Sequence, residues 1–176
     1  DGMRILLMPN FTKPRTWEVL RELCPRMEAM GMTAVAAGKD RDAMAAVGIG
    51  PVEGAPEGAE TAAASCDLIL SIGGDGTMIH SAYYAALAEK PVVGVNLGRL
   101  GFLAQIEPEE LDRYLLRLQS GSCPREKRDA IQSRFSPEGR DGLPFAINDI
   151  VFTRSPDQNL VDFEVLCNGR LIDRYY

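Results

Sequence analysis

The first 120 residues alternate between short apolar runs and longer segments in which apolar residues recur every three or four positions. Short apolar runs bounded by turn residues are typical of buried strands, and they lie at residues 3–8, 33–37, 67–72 and 92–95. Apolar spacing of three and four predicts helices at residues 14–30, 77–89 and 109–119. Strands that alternate with helices favour a parallel, doubly wound sheet with right-handed crossovers. We therefore predict a Rossmann-like α/β domain over residues 1–120, in which the Gly- and Pro-rich residues 48–58 form a loop.

The pattern changes near residue 121. From there on, runs that look like strands follow one another without intervening helices, at residues 123–134, 143–153 and 160–167. Asn168-Gly169 lies between two apolar pairs and is a strong signal for a hairpin turn. We predict a second, antiparallel all-β domain over residues 121–176. It stops at Tyr176 with unpaired sheet edges, so we expect this domain to be incomplete and the chain to be part of a longer protein.

Charge and cysteine content exclude several classes of function. The net charge of −6 is spread along the chain without an acidic or basic block, which argues against nucleic-acid binding and against a polybasic membrane anchor. A small-molecule ligand is therefore favoured. Neither a signal peptide nor a membrane span is visible. The cysteines are far apart and include no Cys-x-x-Cys pair, a pattern that suits a reducing cytosol better than disulfides or a zinc site, so we expect a cytoplasmic protein.

Three glycines surround one carboxylate in residues 73–77 (GGDGT), where the third apolar run ends and a helix is predicted to begin. Ligands of open α/β sheets bind at the carboxyl ends of the strands, and the amides of a glycine turn and of a helix N-terminus attract phosphate. Asp75 would repel that phosphate unless it coordinated a metal or accepted a proton from an attacking hydroxyl, and both are roles in phosphoryl transfer. The alternative is that Asp75 only caps the helix, with Thr77 in its first turn. Neither the Walker pattern nor Gly-x-Gly-x-x-Gly is present, which disfavours the P-loop and dinucleotide-fold proteins.

Motifs in three parts of the chain resemble one family. Residues 73–77 match the signature shared by the NAD kinases, the diacylglycerol and sphingosine kinases and, more loosely, the phosphofructokinases. Residues 94–103 (GVNLGRLGFL) are similar to the NAD kinases alone, and residues 146–151 (AINDIV) resemble their Asn-Glu motif. The hairpin at Asn168-Gly169 also fits. The resemblance runs through essentially the whole chain and indicates the N-terminal portion of a member of the NAD kinase family.

The resemblance implies an α/β domain followed by an all-β domain, with NAD bound between them and with ATP or polyphosphate as the phosphoryl donor. It implies that Asp75 is the catalytic residue, which takes the proton from the 2'-hydroxyl of the adenosine ribose as this hydroxyl attacks the γ-phosphate of ATP to give NADP. A divalent metal, Mg²⁺, is expected with the donor. The expected partners are small-molecule nucleotides and further copies of the chain in a dimer or tetramer, with neither nucleic acid nor membrane.

Further site residues follow from the same resemblance. Four of them would shape the phosphate-facing turn: Gly73, Gly74, Gly76 and Thr77. His80 follows near the start of the same helix and is either a ligand contact or a solvent-facing residue. Phe102 would supply an apolar wall, or else belongs to the core. Asn148 and Asp149 would bind the ribose and adenine side of NAD through hydrogen bonds.

The chain departs from the family pattern in two ways. Family members most often have Glu at the position of Asp149, whose side chain is shorter by one methylene. The family's Gly-, Ser- and Thr-rich segment with its Tyr would follow the position of Tyr176, so we expect the 176-residue chain to have little activity alone. Two alternatives stay open: a lipid kinase of the same superfamily and a non-catalytic nucleotide-binding module.

Overall fold

The computed structural model describes residues 2–98, 101, 103–104, 106–134, 145–153 and 160–176. It divides into two compact units, Asp1–Ala130 and Ile131–Tyr176. The first unit holds a parallel α/β sheet and the second a small antiparallel sheet, which confirms the predicted fold class. The domain limits inferred from the sequence, 1–120 and 121–176, stay predictions.

Five strands form the sheet of the first unit: β1 (Arg4–Pro9), β2 (Thr33–Ala36), β3 (Glu53–Gly54), β4 (Leu68–Gly73) and β5 (Val92–Asn96). Their spatial order is β3-β2-β1-β4-β5, and neighbouring strands pair in parallel. In the centre, Leu6 of β1 lies opposite Val35 of β2 on one side and Ile69 of β4 on the other. The chain winds outward from β1 to β3 and then returns to β4, so the carboxyl ends of β1 and β4 mark the point where the winding reverses.

Five α-helices lie in the described part of the first unit: α1 (Arg15–Ala29), α2 (Gly38–Ala46), α3 (Ala59–Ala64), α4 (Asp75–Leu87) and α5 (Leu111–Gln119). A 3₁₀ turn at Pro108–Glu110 precedes α5. The predicted helices over residues 14–30, 77–89 and 109–119 correspond to α1, α4 and α5 within two residues at each end. Within the described ranges, no helix combines the length and the apolar character that crossing a membrane requires.

Three elements were not predicted: β3, α2 and α3. The strand β3 has only two residues and lies inside the predicted loop over residues 48–58. The helix α2 buries Met44 alone, and α3 is nearly all alanine with Ala62 and Ala63 buried. Elements this short, with so few large apolar residues, produce no periodic signal in the sequence.

Both faces of the sheet are covered by helices. Side chains alternate along a strand, so Ile5 and Leu7 of β1 point to one face and Leu6 points to the other. The first face packs against buried residues of α1, α2 and α5, which include Leu20, Leu23, Met27, Met44, Leu111 and Leu115. The opposite face packs against α3 and α4 through Ala62, Ala63 and Ala85. The strand β4 is buried along its whole length, as expected for a central strand of a parallel sheet.

The described part of the second unit contains a hairpin. Its strands β6 (Phe163–Cys167) and β7 (Arg170–Tyr175) pair antiparallel, and Asn168-Gly169 joins them. The φ angles of Asn168 and Gly169 are 50° and 77°. Positive φ at both residues defines a type I′ turn, whose twist matches that of the flanking strands. The predicted hairpin is therefore confirmed.

Two other predicted strands, over residues 123–134 and 143–153, are wrong where the structure describes them; residues 143 and 144 lie outside the described residues. Residues 123–134 and 145–153 form no strand, and they meet only in one antiparallel bridge between Ile131 and Ala146. In this bridge, each N–H donates to the other residue's C=O, at 2.8 and 2.7 Å. Residues 124–132 are all solvent-exposed. For residues 124–132, the physical reason for the missing strand is that charged and polar residues dominate the segment, so it has no apolar face to bury against a partner strand.

Candidate active site

A cleft of ≈ 860 Å³ opens at the carboxyl edge of the sheet in the first unit. Its walls come from the end of β1 and the loop that follows it, from the starts of α2 and α4, from α3, and from the loop after β5. The cleft is lined by these predicted site residues: Gly74, Asp75, Gly76, Thr77 and His80. Gly73 is buried directly behind them as the last residue of β4. The structure therefore brings the glycine turn to the edge where ligands of parallel sheets bind.

The glycines of the turn have different physical roles. At Gly73, a Cβ atom would overlap Thr77 Oγ1 and lie 2.7 Å from Thr77 Cβ, so only glycine lets the first turn of α4 approach β4 this closely. Gly74 is the N-cap residue of α4 and has an extended backbone. At Gly76, nothing lies within 4 Å of the position that a Cβ would take. Gly76 therefore leaves open space in the cleft next to Asp75.

Asp75 is held by backbone amides from another part of the chain. Its Oδ1 accepts hydrogen bonds from the N–H groups of Leu103 and Ala104, each at 3.1 Å. The N-cap position of α4 belongs to Gly74, and no side chain caps the helix there. The interpretation of Asp75 as merely the cap of its own helix is therefore wrong. Its carboxylate instead fixes the loop after β5 while lining the cleft.

The loop after β5 folds back over the glycine turn. A Cβ at Gly101 would overlap Asp75 Oδ1 and lie 2.7 Å from Asp75 Cγ, so this glycine permits the close contact. Buried Asn96 fixes the start of the loop, since its Oδ1 accepts the N–H of Gly98 at 3.0 Å. At the end of the loop, Ile106 returns to pair with Val95. Two of the motifs that resemble the family thus meet at one carboxylate.

Asn10 is a site residue that the sequence analysis missed. It follows β1, and its side-chain Nδ2 donates to Thr77 Oγ1 at 3.3 Å. Its Oδ1 accepts from both the N–H and the hydroxyl of Thr12, at 3.1 and 2.6 Å. Asn10 therefore connects the loop after β1 to the first turn of α4. The rule that the carboxyl ends of neighbouring strands share one edge was the signal that could have found it.

Lys13 is the second residue that was missed. It lies in the same loop, lines the cleft, and is half-buried. Its Nζ is close to both glycine-containing turns, because a Cβ at Gly74 would be 3.9 Å from it and a Cβ at Gly98 would be 2.9 Å from it. The cleft therefore places a positive charge beside the residue that precedes Asp75.

The remaining predicted site residues have different positions. The exposed side chain of His80 lines the cleft and packs edge-on against Tyr84, with ring centroids 5.1 Å apart. Phe102 lies outside the described residues. Asn148 and Asp149 are exposed residues of the second unit, just after the bridge at Ala146.

Ionisable groups also line the far end of the cleft, at the start of α2. Burial raises the pKa of Asp40, and the neighbouring positive charge of Lys39 opposes this shift. The charged form of the Asp40 carboxylate is therefore less stable there than it is in water.

A dedicated metal cage is not seen in the described ranges, where no group of three or more His, Cys, Asp or Glu side chains could hold an ion. Mg²⁺ at phosphoryl-transfer sites is usually held by one or two carboxylates together with the phosphates of the substrate. The carboxylate of Asp75 beside the glycine turn fits this mode of binding, in which the nucleotide supplies most of the ligands.

The strand order defines a doubly wound α/β protein, and its glycine turn lines a cleft at the carboxyl edge of the sheet. A family model described as the ATP-NAD kinase N-terminal domain matches residues 16–122, which is more than half of the chain. The chain therefore belongs to the NAD kinase family.

Individual relatives agree with this assignment. The NAD kinase of Heliobacterium modesticaldum is 39% identical over 113 residues, which cover 62% of this chain and 39% of that protein. The NAD kinase of Chlorobium luteolum is 28% identical over 173 residues, which cover 98% of this chain and 58% of that protein. The crystal structure of yeast NADH kinase complexed with NADH has the same fold, with a TM-score of 0.75 at 16% identity over 98% of this chain and 55% of that chain. The chain thus spans less than two thirds of the length of each of these relatives.

Proposed function

We propose that the chain carries the phosphoryl-transfer site of an NAD kinase. The enzyme would transfer the γ-phosphoryl group of ATP, or a phosphoryl group of polyphosphate, to the 2'-hydroxyl of the adenosine ribose of NAD, giving NADP. One observation carries the proposal: the carboxylate of Asp75 is held at the cleft, between Gly74 and Gly76, by two backbone amides. Membership of the NAD kinase family supports the same reaction.

In this proposal, Asp75 is the general base. Its ionised carboxylate accepts the proton of the 2'-hydroxyl while the hydroxyl oxygen forms a bond to the γ-phosphorus. The bond from the γ-phosphorus to the oxygen that bridges to the β-phosphate breaks, and its electron pair leaves with ADP. Because Leu103 and Ala104 fix the carboxylate through Oδ1, little orientational freedom remains to be lost when the substrate binds.

The donor's phosphates would bind at the glycine turn. The N–H groups in the first turn of a helix attract anions, and α4 begins at the cleft with Asp75 and Gly76. The open space at Gly76 lets a phosphate oxygen come close to the main chain. Mg²⁺ bound to these phosphates would neutralise part of their negative charge.

The acceptor side of the proposal involves the second unit. We propose that Asn148 and Asp149 bind the ribose and adenine of NAD, and their exposure leaves them accessible to a ligand. His80 would contact the ligand from the first unit, since it lines the cleft. The apolar wall at Phe102, the homo-oligomeric assembly and the cytoplasmic location stay predictions.

The test is an assay of the full-length protein with ATP, Mg²⁺ and either NAD or diacylglycerol. Formation of NADP with NAD, and of no phosphorylated lipid, is the expected result. Phosphatidate formed from diacylglycerol would support the lipid kinase instead. Calorimetric binding of ATP or NAD without either product would support the non-catalytic module.

A further inference from the structure

We propose that Lys13 binds the phosphate that is transferred and so positions the donor opposite Asp75. The inference rests on the proposed function and adds to it a residue that lies outside all the sequence motifs. Lys13 would be a donor-side residue, which contacts the triphosphate and not NAD.

The position of the ammonium group is the first argument. Lys13 Nζ is 3.9 Å from the position of a Cβ at Gly74 and 2.9 Å from that of a Cβ at Gly98. Gly74 directly precedes Asp75, and Gly98 lies in the loop whose amides hold the Asp75 carboxylate. The charge is therefore on the wall of the cleft that holds the proposed base.

The second argument is that this charge has no acidic partner within the described ranges. The ion pairs found there involve other basic residues. The hydrogen bonds that Lys13 makes in these ranges involve its backbone N–H and C=O and not Nζ. The ammonium group of a half-buried lysine, with no carboxylate partner in these ranges, is suited to an anion that arrives with the substrate, and a phosphate is the anion that this cleft is proposed to receive.

The third argument is that the backbone of Lys13 is fixed before any ligand binds. The C=O of Asn10 accepts the N–H of Lys13 at 3.2 Å and the hydroxyl of fully buried Thr16 at 2.6 Å. Asn10 also donates to Thr77 in the first turn of α4. The loop is thus tied to α1 and to the first turn of α4, so only the lysine side chain has to become ordered on binding.

The chemistry of the reaction favours the donor over NAD as the source of this phosphate. The phosphorus that is attacked must come within bonding approach of the hydroxyl that Asp75 deprotonates. The pyrophosphate of NAD is attached at the 5' position of the ribose, away from the 2'-hydroxyl. A cation next to Gly74 therefore lies closer to the γ-phosphate, where it would also stabilise the charge that its oxygens carry in the transition state.

The experiment measures NADP formation by the full-length protein, with ATP varied at saturating NAD and then NAD varied at saturating ATP. For Lys13→Met, we expect kcat/KM for ATP to fall by about 10- to 100-fold, while the KM for NAD changes less than about twofold. Lys13→Arg keeps the charge and is expected to recover part of the loss. The matched control is Lys90→Met, which removes the same charge in the turn between α4 and β5, outside the cleft, and should leave both parameters unchanged.

A rise in the KM for NAD with kcat/KM for ATP unchanged would assign Lys13 to the pyrophosphate of NAD and overturn the proposal, as would wild-type behaviour of Lys13→Met. A second measurement separates this inference from the proposed function. Calorimetry follows binding of inorganic triphosphate to the wild type and to both Lys13 variants, whether or not NADP is formed. Weaker binding by Lys13→Met, partly restored in Lys13→Arg, supports the inference even if the protein makes no NADP, and equal binding by all three overturns it.

Discussion

The carboxylate of Asp75 anchors a loop, lines the cleft and is the proposed base. Because Oδ1 accepts the N–H groups of Leu103 and Ala104, a substitution that removes the whole carboxylate would remove the base and would also break the hydrogen bonds that hold the loop. Asparagine keeps the shape and one acceptor oxygen but cannot take up the proton. Asp75→Asn is therefore the substitution that separates the chemical role from the structural one.

Gly76 tests whether the open space beside the turn is where the donor's phosphates bind. An alanine there would meet no atom within 4 Å and is the better helix former, so we expect Gly76→Ala to keep or raise the unfolding temperature. Its methyl group would occupy space that the phosphates need, so the KM for ATP of the full-length protein is expected to rise about tenfold. Steady-state kinetics and thermal unfolding measure the two effects.

Gly38→Ala is the matched control for this prediction. It makes the same change in the first turn of α2, also with nothing within 4 Å, and Gly38 is not part of the cleft lining. We expect it to leave the KM for ATP unchanged. A Gly76→Ala enzyme with the ATP KM of the wild type would show that the donor does not use this space.

The residues of the site differ in how far the sequence could predict them. The turn at residues 73–77 could be predicted because its glycines and its carboxylate are contiguous. Asn10 and Lys13 carry no such local signal, because they join the site only through the pairing of β1 with β4, which are far apart in the chain. Only the rule that neighbouring parallel strands end at one edge could have indicated Asn10. The amides of Leu103 and Ala104 are backbone groups, and no side chain marks them in the sequence.

Among the elements, α1 contains an internal proline that offers a test of its stability. Pro25 is exposed and lacks the N–H that would donate to the C=O one turn earlier in the helix. We expect Pro25→Ala to restore this bond and to raise the free energy of unfolding by about 1–3 kcal/mol. Chemical denaturation of the 176-residue chain measures the change.

The control for Pro25→Ala is Pro14→Ala at the N-cap of α1, where proline costs the helix no hydrogen bond. Since proline there restricts the unfolded chain, its removal is expected to lower the free energy of unfolding by up to about 1 kcal/mol. A free energy of unfolding that falls for Pro25→Ala as well as for Pro14→Ala would mean that the helix accommodates Pro25 without cost.

The elements that could be predicted are those with a strong local signal. The strands β1, β2, β4 and β5 are apolar runs, and the turn of the β6–β7 hairpin requires the positive φ that Asn168 and Gly169 supply. The strands expected over residues 123–134 and 143–153 were wrong in their described parts because strand pairing depends on a partner that the local sequence does not show. The short helices α2 and α3 bury only one and two residues, which is too few to give a periodic signal in the sequence.

For the molecule as a whole, the described residues that line the cleft all belong to the first unit. The donor side of the proposed reaction therefore depends on one unit, whereas the proposed contacts of Asn148 and Asp149 with NAD depend on the other. Since the chain spans less than two thirds of the relatives it matches, turnover is tested in the full-length protein.

The buried thiols report on the integrity of the first unit. Burial raises the pKa of Cys24 from 9.0 to about 11, and burial also raises the pKa of Cys66. At pH 8, only about one Cys24 thiol in a thousand is then ionised. We expect iodoacetamide to modify exposed Cys167 in the native chain, while Cys24 and Cys66 react only after unfolding, as mass spectrometry of the peptides would show. Rapid labelling of Cys24 in the native chain would contradict the described core.

The same shift predicts a dependence of stability on pH. The thiol of Cys24 ionises at a lower pH in the unfolded chain than in the folded one. Its contribution to the free energy of unfolding is therefore constant below about pH 9 and is lost as the pH rises toward about 11. In Cys24→Ser, we expect the free energy of unfolding to fall less between these two pH values than it does in the wild type. Denaturation curves recorded over this pH range measure the difference.

The most direct test of Asp75 as the general base compares NADP formation by the full-length wild type and by Asp75→Asn at saturating ATP, Mg²⁺ and NAD. Asp112→Asn is the control, since Asp112 is an exposed carboxylate on α5 that pairs with Arg26 away from the cleft. We expect kcat to fall by about 10²- to 10⁴-fold in Asp75→Asn and to stay at the wild-type value in Asp112→Asn. Equal kcat values for Asp75→Asn and the wild type would show that Asp75 is not the base.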